Sequence, residues 1–573
     1  MTDPALHQKL WFYLTSRTET DEVQFTFAVL TIAVLLTAVA WRSWVLQRRR
    51  ATDPASSQSW LRWGDRTVSA LLLVVALCSA TQYFYGSRNG SSWIHRWDMY
   101  HQVIGSKYFQ ELGYFRLYEC TWEIDAENSG HFKKVPEMRV IETVKIRPTA
   151  EVIGERDCAG LFSDARREQF AADIDAFYEL GGKSQWNKLF TDKGFNGTPF
   201  HGWVLSRLVD DVEINEDELN WLGLLDVFLL VIAFGFVIWA WDVKTAAIVI
   251  LFFCANFPNR YIHMGGSILR FDYIAMLIIA LALLKKDRFG LAGICVAWAT
   301  AERMFPAVFA AGLGLKAGVE LIATRKLERR YLMFGIGFAG TLVVLFGLSL
   351  SLAGSFSDGV ASWHEWWLNI VEHTRHTRAF RSGFRHMFMM DGNVTDKHRF
   401  ATWAKKTEVF ESREHFYWVA MVMLFAPLIL AVRKLDDVSF TAIFAAAAFL
   451  TLTIATRYYY SMMVLFLLVD RKLFEDRKQL VLAALLMLAA AWLTKLSMVT
   501  DNVAFHYNTA TSAAFSGYFV ILGALLWIDP WLRDRGLRDR TQSSAIGLPS
   551  TPSGTGTPTS SAIVGATSTD QTT

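Results

Sequence analysis

Asp98 stands in the polar stretch Ser91-Ser-Trp-Ile-His-Arg-Trp-Asp-Met-Tyr-His-Gln102, about a dozen residues beyond the apolar run Val68–Tyr85. A carboxylate beside water and next to hydrocarbon can take a proton from a hydroxyl, provided the two lie within hydrogen-bond reach. The alternative is a solvated Asp that caps a helix. If the stretch is one helix lying on a membrane, Asp98, Gln102, Gly105 and Phe109 share a face bordered by His101. Further along, Asp192-Lys-Gly-Phe-Asn-Gly-Thr-Pro199 has the composition of a turn. It is either an ordinary surface turn or a cradle that returns Lys193 and Asn196 towards Asp98.

A second group of chemistry-bearing residues lies at the ends of apolar runs. The link Asn259–Tyr273 carries His263, Arg270 and Asp272, more polar groups than turning requires. Charges at membrane depth are costly and are usually paired or functional. Arg303, in Glu302-Arg-Met-Phe-Pro306, and Arg457, in Ala455-Thr-Arg-Tyr-Tyr-Tyr460, occupy comparable positions, with Tyr458 beside the latter. Any one arginine could simply snorkel to the interface. Three at one level suit a phosphate or pyrophosphate, because the guanidinium fork matches its oxygens.

Trp363-His-Glu-Trp-Trp367 and His373-Thr-Arg-His-Thr-Arg378, followed by Arg381, Arg385 and His386, are dense in histidine. Arginines among these histidines would repel a metal, so an interfacial amphipathic helix with aromatic anchors is the favoured reading. The sequence holds no His-Glu-x-x-His, no phosphate-binding loop, no Gly-x-Ser-x-Gly and no dinucleotide fingerprint. No metal ligands are assigned; a cofactor is not identified, and a divalent metal is not indicated.

The elements that must position these residues are apolar helices. Of 573 residues, 52% are hydrophobic and 19% charged, below the roughly 25% charge of a soluble domain. The formal net charge of +3 gives no bulk signal for nucleic acid. About thirteen apolar runs recur: Val23–Trp41, Val68–Tyr85, Trp221–Trp241, Ala246–Phe257, Ile268–Leu284, Gly290–Ala301, Ala307–Ile322, Leu332–Ala353, Tyr417–Val432, Phe440–Ala455, Tyr459–Val469, Leu480–Leu496 and Ala513–Trp527. The expected fold is an all-α polytopic membrane protein with about thirteen transmembrane helices and a large mixed outer loop.

Basic links such as Gln47–Arg50, Lys285–Arg288, Thr324–Arg330 and Arg433-Lys434 all fall on the cytoplasmic side when the N-terminus is outside. That pattern requires the Glu302–Pro306 segment to be an outer corner between two spans, and it places the C-terminus in the cytoplasm.

The chain then divides into a tail with two spans (1–85), a first outer loop domain (86–220), a transmembrane core (221–354), a second outer loop (355–415), C-terminal spans (416–530) and a Ser/Thr/Gly/Pro tail (531–573) expected to be disordered. Within the first loop, Glu168–Leu180 has the periodicity of a helix with Phe170, Ile174, Phe177 and Tyr178 on one face, and Thr121–Val152 suits a hairpin. Cys120 and Cys158 share that loop; two thiols on an oxidising side often pair, the alternative being two free cysteines.

The chain resembles the GT-C membrane glycosyltransferases, and within them the branch of bacterial polyprenyl-phosphate-sugar-dependent (family 87-like) enzymes. The resemblance rests on Asp98 early in the first outer loop, the amphipathic segment Tyr108–Tyr118 after it, the Arg-x-x-Pro corner Arg303–Pro306 and the late Arg457-Tyr458. It covers roughly Val68 to Tyr460. Two departures are an extra span, Val23–Trp41, and an insertion around Cys120–Cys158.

The resemblance implies a transferase that moves a sugar from a polyprenyl-phosphate-linked donor to a glycan or lipid-linked acceptor at the outer face of a bacterial inner membrane. On that pattern Asp98 would be the base and Arg303 and Arg457 donor-phosphate ligands. The residues themselves add Arg270 as a third phosphate ligand and His101, Lys193, Asn196, His263, Asp272 and Tyr458 as candidate substrate contacts. Membrane lipid is the surrounding partner, and nucleic acid is not one. A transporter or lipid flippase is the alternative class, but the charges sit at run ends and no repeat is visible.

Overall fold

The computed structural model describes residues 21–48, 54–85, 94–154, 158–181, 186, 188–261, 265–375, 381–389, 399–452, 455–469, 476–499 and 509–525. The chain forms two units, Met1–Gly523 and Ala524–Thr573, and nearly everything described belongs to the first. The tail from 531 onwards lies outside the described residues. The described part is overwhelmingly helical.

Helices α1 (Asp21–Arg48) and α2 (Pro54–Tyr85) open the chain. The loop domain follows: α3 (Arg96–Met99), a π-helical turn (Tyr100–Ile104), α4 (Gly105–Lys107), α5 (Phe109–Leu112), α6 (Leu117–Glu127), strands β1 (Glu137–Val140) and β2 (Lys145–Pro148), α7 (Thr149–Val152), α8 (Asp164–Gly181) and α9 (Pro199–Val209). The bundle then continues through α10 (Glu216–Ala240), α11 (Val243–Ala255), α12 (Asp272–Lys285), α13 (Phe289–Glu302), α14 (Ala307–Thr324) and α15 (Arg329–Ser349). After α16 (Phe356–Arg375) come α17 (Phe384–Phe388), α18 (Arg399–Leu430), α19 (Asp437–Leu452), a 3-10 helix (Arg457–Leu467), α20 (Asp476–Val499) and α21 (Thr509–Leu525).

Seven helices among the described residues are long and apolar enough to cross a membrane: α1, α2, α10, α14, α15, α18 and α20. The remaining apolar runs also form helices, but shorter ones. Helix α11 has 13 residues and α12 and α13 have 14 each. At 1.5 Å per residue, such helices reach only about 20 Å, less than the roughly 30 Å hydrocarbon core. Helices α11, α12 and α19 are buried on nearly every side, as expected of core helices rather than lipid-facing ones. The run Tyr459–Val469 lies mostly within the 3-10 helix Arg457–Leu467, of 11 residues. At about 2.0 Å rise per residue, this gives it more reach than an α-helix of equal length.

Small residues set the closest helix contact. Gly290 and Gly293 of α13 face Gly337 of α15, and a Cβ on Gly293 would collide with the Phe334 carbonyl oxygen. At the far end of the bundle, Lys316 Nζ donates to the carbonyls of Val432 (2.9 Å) and Leu435 (2.6 Å). Asp437 there accepts from Tyr331 Oη at 2.8 Å and pairs with Arg330 at 3.0 Å. Lys285, Arg330 and Arg433, from three of the basic links, line one cavity of about 420 Å³ at this end.

The loop domain has its own core. Phe170, Ile174 and Phe177 of α8 pack against Tyr100, Tyr108 and Phe132, all buried. Strands β1 and β2 pair antiparallel, Glu137 opposite Pro148 and Val140 opposite Lys145. Cys120 of α6 and Cys158 are joined by a disulfide, which ties the insertion to the core. The Asp98 stretch is not a helix lying on the domain surface: residues 99–109 are buried throughout. Tyr108–Tyr118 is likewise not one amphipathic helix. Gly113, at φ +53°, separates α5 from α6, and Tyr114, Leu117 and Tyr118 point into the core.

Candidate functional site

The polar residues meet where the loop domain sits on the bundle. Asp98, in the only turn of α3, is held from its own side by His95, whose Nδ1 accepts from the Asp98 amide at 3.2 Å. The His95 amide in turn donates to the Gly266 carbonyl at 2.8 Å, which fastens α3 to the 265–271 link. From that link Arg270 Nε lies 3.0 Å from Asp98 Oδ2, and Ser267 Oγ donates to the same oxygen. The carboxylate and guanidinium are 13% and 7% exposed, so the pair is nearly enclosed but still reachable. Burial alone would raise the Asp98 carboxyl. Arg270, followed by His95, the Ser267 hydroxyl and His101, outweighs it and holds the group below its ordinary value of 3.8.

The link is fixed from below by Asp226 of α10. Its two oxygens accept from the backbone N–H groups of Arg270 (2.8 Å) and Phe271 (3.0 Å), the start of α12. Leu269 sits at φ +47°, a conformation rare outside glycine, directly before Arg270. Its carbonyl accepts from Arg303 Nη2 at 3.2 Å. Arg303 ends α13, and Pro306 precedes α14, so Arg303–Pro306 forms a corner between two helices. Asp272, at the start of α12, is fully buried and accepts from Trp298 Nε1 at 3.1 Å.

The turn Asp192–Pro199 is part of this assembly, not a free surface loop. Asp192 Oδ2 accepts from Trp97 Nε1 at 2.5 Å, and the Gly197 carbonyl accepts from Tyr114 Oη at 2.9 Å. Thr198 Oγ1 donates to the Ala301 carbonyl at 2.6 Å while capping α9 through the His201 amide at 3.0 Å. The turn therefore straps the Asp98 helix to the Arg303 corner. Lys193 and Asn196 lie in it, partly buried. His101 belongs to the same packing, with Nε2 2.8 Å from Tyr118 Oη, which also accepts from the Gly194 amide at 2.9 Å. Burial holds His101 below its ordinary value, against the pull of Asp192 and Asp98.

Several residues in the cluster carried little signal in sequence. His201 is fully buried, contacts Glu302 Oε2 through Nδ1, and lies 3.0 Å from Gln102 Oε1 through Nε2. Burial, with Arg303 and Arg270 close by, holds its imidazole well below the ordinary range. Ser267, Asp226 and Glu302 were also not singled out. The one available signal was a lone acid inside an apolar run, which Asp226 provides and which is costly unless paired.

Tyr458 is partly buried at the start of the 3-10 helix. Arg457 begins that helix, and its side chain lies outside the described part, as does all of His263. In the second loop, α16 buries Trp366 and leaves Trp367 exposed, while Trp363 Nε1 donates to Ser349 Oγ at 2.9 Å. The side chains of His373, His376, Arg378 and Arg381 lie outside the described residues. Arg385 stacks over Phe410 at 3.9 Å.

Three acid and imidazole groups also converge at Asp125, His131 and Asp175. Both Asp125 oxygens are taken by the backbone amides of His131 (3.0 Å) and Phe132 (2.8 Å), and Asp175 accepts from Ser129 at 2.8 Å. This cluster braces the loop domain.

Comparison with protein-family models, with curated proteins and with solved structures finds no match for the chain.

Proposed function

We propose that the chain is a GT-C-like membrane glycosyltransferase that moves a sugar from a polyprenyl-phosphate-linked donor to an acceptor hydroxyl. The observation that carries this reading is the enclosed Asp98–Arg270 pair, with Arg303 on the neighbouring corner. In the proposed reaction the acceptor O–H gives its proton to Asp98. The acceptor oxygen forms a bond to the sugar's anomeric carbon as the carbon–oxygen bond to phosphate breaks. The leaving lipid phosphate keeps the electron pair, and its charge is stabilised by the guanidinium groups of Arg270 and Arg303, with Arg457 as the third ligand the resemblance implies. Because Arg270 pairs with Asp98, a donor phosphate competes for that guanidinium. As Arg270 turns to the phosphate, Asp98 loses its strongest counter-charge and becomes a better base. His101, Lys193, Asn196, Asp272, Tyr458 and His263 fit as substrate-lining groups in this scheme.

Thirteen membrane crossings, an outside N-terminus, a cytoplasmic C-terminus and a bacterial inner membrane complete the proposal. The short buried helices then cross where the bilayer thins, or only with their neighbours around them. Basic residues of three links, Lys285, Arg330 and Arg433, gathered around one cavity support placing those links on one side.

The test separates the two roles. On folded, monodisperse protein with a lipid-linked donor, Asp98→Asn should lower kcat while donor binding is kept or strengthened, because Arg270 is released from the carboxylate. Arg303→Ala should weaken donor binding as well as rate, because a phosphate ligand acts in both ground and transition states. Equal effects of both variants on donor binding alone would remove the assignment.

A further inference from the structure

Asp272 and Glu302 share an unusual arrangement. Both are 0% exposed, and each has one carboxyl oxygen fixed by a side chain: Asp272 Oδ2 by Trp298 Nε1 at 3.1 Å, Glu302 Oε2 by His201 Nδ1. Among the described residues, Asp272 Oδ1 and Glu302 Oε1 have no hydrogen-bond partner, while the Tyr273 amide acts on the Asp272 carboxyl. A buried polar atom left unpaired costs on the order of 1–3 kcal/mol. Two such atoms in one cluster, each held in place by its twin, have the form of acceptors presented to a ligand.

The surroundings restrict what that ligand can be. Arg303 lies close enough to act electrostatically on both carboxyls. Arg270 and Asp98 border the same cluster through His201. A divalent cation would face these guanidinium groups, and both His201 ring nitrogens are already engaged. That leaves two oxygens, fewer than a calcium or magnesium site uses. A phosphate is an acceptor and is drawn to the arginine donors rather than to carboxyl oxygens. What remains is an uncharged donor of hydrogen bonds, and the group in the proposed reaction with several of these is the sugar itself.

We infer that Asp272 Oδ1 and Glu302 Oε1 accept hydrogen bonds from hydroxyls of the transferred sugar, a role that rests on the glycosyltransferase reading above. The two residues then recognise the sugar, while Arg303, next in sequence to Glu302, holds the phosphate. Sites built to hydrogen-bond a hydroxyl reject ligands that lack it more strongly than apolar pockets reject a methylene.

The experiment compares the full-length protein in lipid nanodiscs with Glu302→Gln and Asp272→Asn, both close in shape to the native residues. The probes are bare polyprenyl phosphate and the same lipid phosphate carrying mannose, galactose, glucose or arabinose. The wild type should bind at least one sugar-bearing lipid about tenfold or more tighter than the bare phosphate. Each variant should lose most of that advantage, while its affinity for the bare phosphate stays within about twofold. Variants that weaken both kinds of lipid alike, or keep the preference for the sugar, would overturn the inference. So would saturable binding of Mn²⁺ or Ca²⁺ that the variants lose. Wild-type binding of bare phosphate without any sugar preference rejects the sugar role alone, whereas binding of neither kind of lipid removes the transferase reading with it.

Discussion

At the scale of single residues, the pairing of Asp98 with Arg270 changes what Asp98→Asn should do. Asp98 as a solvated residue at an aqueous mouth would tolerate amidation with no loss of stability. The structure instead encloses it, so the substitution takes the nearest carboxylate away from a buried guanidinium and should destabilise the fold. The folded carboxyl lies below its ordinary value, so the pair stabilises the fold above the unfolded carboxyl pKa. That contribution disappears as pH falls through the lower folded value. Thermal unfolding should therefore show Asp98→Asn well below wild type at pH 7, with the gap closing as pH falls below about 4. A gap constant down to pH 3 would mean that the charge of Asp98 does not matter to the fold. Asp98, Arg270, Arg303 and Asp272 were legible in sequence because polar residues at the ends of apolar runs stand out. Their partners were not. Ser267, His201 and Gln102 come from separate segments, and no periodicity or spacing announces that α3, α9, the 265–271 link and the α13 corner converge.

At the scale of elements, the sequence located the apolar helices well, several of them short. Thirteen runs were visible, and helices occupy all of them, but only seven are long and apolar enough to cross a membrane by themselves. Hydrophobicity reports burial, and α12 and α19 are apolar because other helices surround them rather than lipid. The hairpin β1–β2 and the helix α8 followed from local pattern alone. The buried course of residues 99–109 did not, because an amphipathic segment looks the same whether its apolar face meets lipid or a protein core. The contact between α13 and α15 gives a direct check. Replacing Gly337 with Leu drives a side chain into the Gly290 carbonyl. Overpacking of this kind typically costs about 1–3 kcal/mol, and here the obstacle is backbone. The variant should unfold at lower temperature than wild type in the same detergent, and an unchanged midpoint would show that the two helices do not meet there.

At the scale of the whole molecule, a helical bundle carries a disulfide-tied loop domain, with the polar cluster where the two meet and three of the basic links around a separate cavity. In a background without native cysteines, Ser355→Cys should react with an impermeant thiol reagent in intact cells. Ser543→Cys should react only after permeabilisation, and its labelling in intact cells would reverse the proposed sidedness. The chemistry itself is tested most directly by incubating purified full-length protein in lipid nanodiscs with radiolabelled polyprenyl-phosphate sugars and a panel of glycan and lipid-linked acceptors. The account predicts transfer of label to an acceptor by the wild type, with a loss of at least about a hundredfold in Asp98→Asn of matched folding. Turnover by Asp98→Asn close to that of the wild type would contradict the central claim and leave Asp98 as a structural partner of Arg270.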